Sequence, residues 1–72
     1  MKIDINIIKI QAELQELAGN VKVKVKLDKQ MNVASSIRQT DESFLVKLNP
    51  YKIRSPGKLE EHLNFCRETI TQ

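Results

Sequence analysis

His62 and Cys66 stand four residues apart, a separation that puts two side chains on one face of a helix. They are residue types that bind zinc or serve a nucleophilic centre. Either chemistry needs more than these two. Zinc takes four ligands, or three and a water at a catalytic centre, and the chain holds one histidine and one cysteine. Carboxylates from elsewhere would have to complete the set. A nucleophile would need His62 as its base and a third group to orient the ring. No Ser/His/Asp arrangement is legible, and no pair of carboxylates has a reason for a shifted pKa. The expectation is no metal, no cofactor and no enzymatic activity. Cys66 falls on the apolar stripe of its helix with Leu59, Leu63 and Ile70, where a small hydrophobe belongs.

The other chemistry in the chain is charge. Lys22, Lys24 and Lys26 alternate with Val21, Val23, Val25 and Leu27, so the lysines share one face of a strand. Arg38 and Lys47 fall on the outward positions of two further strands. Tyr51, Lys52 and Arg54 follow in a basic turn, with Lys58 just inside the next helix, whose free N–H groups favour anions. Pro56-Gly57-Lys58 is not a phosphate loop, because the glycine-rich stretch and the Ser/Thr after the lysine are missing. Three readings fit the cations. They could meet an acidic protein face, they could meet nucleic-acid phosphates, or they could be the solvated side of a strand whose lysines discourage edge pairing.

The elements that position these residues follow from periodicity. Ile3, Ile7, Ile10, Leu14 and Leu17 recur at helical spacing, with Ile8 and Ala18 widening the stripe. They predict a helix over 4–18, capped by Asp4 and stopped by Gly19-Asn20. Ile3, Ile5 and Ile7 also alternate as a strand would, which would instead start the helix near Asn6; the longer helix is preferred. Strands are predicted over 21–27, 32–39 and 43–49. Asn49-Pro50 ends the last of them. Ser55-Pro56 then starts a helix, with the serine as cap and the proline pre-shaped for the first helical position.

The assembled order is α-β-β-β-α. Short connections favour adjacent antiparallel pairing in a meander. Apolar residues occupy one side of each strand, so both helices should cover that side. The expected fold class is α+β: a two-layer domain over 1–72 with a three-stranded, mainly antiparallel sheet and two helices on one face. The other face is left open with Lys22, Lys24, Lys26, Arg38 and Lys47. Glu13, Glu16, Glu60, Glu61 and Glu68 lie outward on the helices. Basic sheet and acidic helices are complementary in sign, so self-association is a further option.

Seventy-two residues with a net charge of +3 make one small domain with a marginal core. The lone cysteine rules out an internal disulfide. Together with a Met-Lys-Ile-Asp-Ile start that has no signal-peptide or membrane-span character, it predicts a reducing, cytoplasmic setting and no membrane partner. Phe44, Tyr51 and Phe65 are too few aromatics for a base-stacking surface.

The segment Phe44 to Leu63, a strand ending in Leu48-Asn49-Pro50, an Ile53-Arg54-Ser55 turn and a helix, resembles the SprT-like, or minimal zincin, metalloprotease domain. In that family the helix bears HExxH, whose histidines bind zinc and whose glutamate is the general base. Here leucine follows His62 and Cys66 stands four residues on, so none of the family's functional residues carries over. The resemblance implies a trimmed, ligand-free scaffold that serves binding. The expected function is a non-enzymatic interaction module, a small regulator or inhibitor of an acidic protein partner. Its expected surface is Lys22, Lys24, Lys26, Arg38, Lys47, Tyr51, Lys52 and Arg54. The alternative is a nucleic-acid binder using the same face.

Overall fold

The computed structural model describes residues 4–72. The elements run α1 (Ile7–Ala18), β1 (Lys22–Leu27), β2 (Ser35–Gln39), β3 (Ser43–Leu48) and α2 (Pro56–Thr71). This is the expected α+β layout, one three-stranded sheet with two helices on its apolar side.

α1 starts later than the preferred reading. Asn6, not Asp4, is its N-cap, and the Asn6 side chain accepts from the Lys9 N–H at 3.1 Å. A β-favouring isoleucine run gives way to helix once a side chain is in place to satisfy the first orphan donor. The expectation for Ile3 lies outside the described residues. Ile10 and Leu14 are buried and Ile7 and Ala18 partly so, but Ile8 and Leu17 are exposed. The helix stops at Gly19, whose φ of +64° is the left-handed conformation a glycine adopts without strain. α2 follows its prediction: Ser55 Oγ accepts from the Lys58 N–H at 3.1 Å, Pro56 opens the helix, and Leu63, Cys66 and Ile70 are buried.

The sheet is where the expected topology fails. Its order is β1-β3-β2, with β1 parallel and β2 antiparallel to β3. The meander is therefore overturned, and the sheet is mixed rather than mainly antiparallel. β3, the most apolar of the three strands, takes the centre. Phe44, Val46 and Leu48 are buried toward the helices, while Leu45 is half-buried on the opposite face. Such a near-continuous apolar run is the mark of an inner strand. β2, Ser-Ser-Ile-Arg-Gln, is polar and shorter than predicted, and it sits at an edge. Reaching past β3 costs the chain little. Two strand spacings are about 10 Å, well within the reach of residues 28–34.

That connection closes over the end of β3 and is pinned by Asn49. The Asn49 Nδ2 donates to the Met31 carbonyl at 2.9 Å, its Oδ1 accepts from the Tyr51 N–H at 3.0 Å, and its own N–H donates to the Ala34 carbonyl at 2.8 Å. A fully buried amide is tolerable only when satisfied in this way. The next turn buries Ile53 completely, so the Tyr51–Arg54 turn is anchored to the core and is not simply a solvated basic loop.

The core gathers Ile10 and Leu14 of α1, Leu63, Cys66 and Ile70 of α2, the inward residues of β1 and β3, and Ile53. α1 lies along β1. Arg67 of α2, its side chain 26% exposed, ties the helices together by donating to Glu13 of α1 and to Glu60 and Asn64 of its own helix. Glu60 foremost, and Glu13 with it, push the guanidinium pKa above its ordinary value against the lowering by burial.

Candidate functional site

Pleating decides the site. In β1, Val23 and Val25 are buried, so Lys22, Lys24 and Lys26 point to the open face. The register then sets neighbours. Lys22 pairs with Ser43, Lys24 lies beside Leu45 with Arg38 on its far side, and Lys26 lies beside Lys47 with Ser36 beyond. The three rows place Lys22, Lys24, Lys26, Arg38 and Lys47 on one pleated surface around half-buried Leu45. Lysines two apart on β1 are about 6.6 Å apart along the strand, and neighbouring strands about 4.8 Å apart. Lys22, Lys24, Lys26, Arg38 and Leu45 line an open depression that also takes in Val23 and Phe44 and reaches Gln11 of α1.

No acidic residue occupies an outward position of this sheet. Among the described residues the ion pairs are Lys58–Glu61, Arg67–Glu13 and Arg67–Glu60, all on helices. Lys26 and Lys47 face each other directly, an arrangement that destabilises a sheet. Asp41 and Glu42, in the β2–β3 turn, lie beside Lys22.

The turn residues are not gathered into this face. Tyr51, Lys52 and Arg54 are exposed, at the end of the sheet where β1 and β3 finish, and they do not line the depression. Lys29, which the charge reading did not single out, lies over the Tyr51 ring at 5.8 Å from its centroid, within cation–π range. No local sequence pattern joins Lys29 to Tyr51, because the contact depends on β1 and β3 ending side by side.

His62 and Cys66 do not form a centre. The His62 Nδ1 is hydrogen-bonded to Ser35 Oγ at 2.7 Å, joining α2 to β2. Cys66 is buried in the core, which raises its thiol pKa against the smaller lowering by Arg67. Among the described residues no cluster of three or more His, Cys, Asp or Glu side chains could hold a metal. No helix among them is long and apolar enough to cross a membrane.

No protein-family model, curated protein or solved structure matches this chain.

Proposed function

We propose that this protein is a non-enzymatic binding module whose open sheet face docks on an acidic protein surface. The observation that carries this reading is the set of Lys22, Lys24, Lys26, Arg38 and Lys47 around Leu45, with no acid among them and with Lys26 set against Lys47. A face that is only solvated gains nothing from opposed like charges, whereas an acidic partner relieves them on binding. Half-buried Leu45 gives the centre an apolar contact inside a charged ring, the ordinary anatomy of a protein interface. Lys52 and Arg54 extend the positive field past the end of the sheet, with Tyr51 exposed beside them. Occupying an acidic surface excludes its other ligands, so the module acts as a regulator or inhibitor. It uses no cofactor.

Nucleic acid is the second reading, supported by the regular spacing of the β1 lysines. Salt separates the two, since phosphate contacts release condensed counterions and give a steep dependence of affinity on salt. The test is a tagged pull-down from the source cells, with and without nuclease, using the native chain beside a Lys22→Glu, Lys24→Glu, Lys26→Glu variant. A discrete protein retained after nuclease by the native chain and lost by the folded variant supports the proposal. Its undiminished retention by the variant refutes the face. Recovery of nucleic acid alone transfers the face to phosphate binding.

A further inference from the structure

The two edges of the sheet are finished differently. The outer edge of β1 is sealed by α1: Gln11 Oε1 accepts from the Val25 N–H, and Gln15 Oε1 from the Val23 N–H, each at 2.9 Å. Among the described residues, nothing covers the outer edge of β2 in this way. Ala34, Ser36, Arg38 and Thr40 turn their main-chain groups toward β3, so those of Ser35, Ile37 and Gln39 point away from it. Their amides have no partner among the described residues. An open edge is a template for another strand.

Apolar side chains flank this edge. Ile37 is only half-buried, and Val33, two residues before the strand, is 54% exposed. On α2, His62 bonds to Ser35, and Phe65, 58% exposed, lies three residues further along the same flank. This is the side of α2 away from Arg67 and α1.

We propose that the β2 edge pairs antiparallel with the β2 edge of a second copy of this chain, with the twofold axis through Ile37. The sequence of β2 is complementary to itself about that point. Ile37 meets Ile37 of the other copy on the helix side and continues the core. Ser36 meets Arg38 of the other copy on the open side, so the two arginines are not opposed. Ser35 meets Gln39 of the other copy. A twofold axis through Arg38 would instead set guanidinium against guanidinium, which is costly. The outward N–H and C=O groups of Ser35, Ile37 and Gln39 become the bonding pairs of a six-stranded sheet, and Val33 and Phe65 from both copies close over the seam. A 72-residue chain with a small core is the kind that gains from such a shared one. Both copies keep the open basic face, joined into one longer surface.

The test is the oligomeric state of the full chain by sedimentation, with amide hydrogen exchange as a second readout. The native chain sediments as a dimer of 8.3 kDa subunits, and the Ile37 and Gln39 amides are protected. Because both copies carry +3, added salt tightens the dimer, opposite to its effect on an acidic partner. Ile37→Pro removes an outward N–H that no strand among the described residues uses, and Phe65→Asp charges the flank without touching the ladder. Each weakens dimerisation by about tenfold or more while leaving circular dichroism unchanged. If Ile37→Pro fails to fold, Phe65→Asp and the exchange data decide. A native chain that is monomeric at about 1 mM, the range of the weakest specific pairs, overturns the proposal. So does a dimer whose Ile37 and Gln39 amides exchange freely.

Discussion

Gln15 on α1 holds Val23 on β1 through the strand's backbone. Its Oε1 accepts the Val23 N–H at 2.9 Å while its Nε2 donates to the Val21 carbonyl at 2.9 Å and to the Gly19 carbonyl at 3.1 Å. One side-chain amide thus fills, for an edge strand, the place a neighbouring strand would take. Gln11, one turn earlier, does the same for the Val25 N–H. Gln15→Ala should lower stability by about 1–2 kcal/mol, since it strips partly buried backbone groups of their partner. Gln15→Glu should cost at least as much, because a carboxylate cannot donate to the two carbonyls. Urea unfolding of the three proteins measures both. An unchanged midpoint in Gln15→Ala would show the bonds to be replaceable by water.

Asn49→Ala should cost about 3 kcal/mol, because it orphans the Met31 carbonyl and the Tyr51 N–H around a buried position. Asn49→Asp should be as damaging, since its carboxylate would face the Met31 carbonyl. The loss should appear as exchange of amides across residues 28–34 under native conditions, before global unfolding. Simultaneous exchange of the whole chain would contradict a local role for this residue.

Lys47→Glu should stabilise the fold by roughly 0.5 kcal/mol while weakening partner binding, because it replaces a like-charge pair with Lys26 by an opposite one. Chemical denaturation beside the pull-down reads both effects. Loss of stability together with loss of binding would mean that Lys47 serves packing instead.

Cys66 makes stability depend on alkaline pH. Burial raises its thiol pKa in the folded state, so the folded protein keeps a proton that the unfolded chain releases above about pH 8.5. In that window the folded state binds more protons, and stability falls as pH rises. The contribution is intact below the unfolded pKa and is lost as pH climbs through the folded one. Cys66→Ala should flatten the decline, at the cost of a small cavity. Reaction of native Cys66 with a thiol reagent at pH 8 should be slow and should accelerate with urea. Prompt labelling without denaturant would show the thiol to be open.

The sequence by itself determined the local matters. Ser55-Pro56 capped and opened α2, Gly19 closed α1, and the valine–lysine alternation of β1 settled which side chains face water. Each depends on a residue and its near neighbours along the chain, so each could be read directly. The five sheet cations were assigned to one face for the same reason, since alternation survives whichever strand lies alongside. Tertiary structure alone decided that alongside β1 lies β3 and not β2, and with it the Lys26–Lys47 pair. Strand partners are chosen by competition for burial among segments distant in sequence. β3 takes the centre as the most apolar of the three strands, with Leu45 half-buried on its second face, a signal present in the chain but outweighed there by the shortness of the connections. The burial of Asn49 and Ile53, the bond between Ser35 and His62, and the sealing of β1 by Gln11 and Gln15 depend on that arrangement. They are contacts between segments that meet only once the sheet has formed.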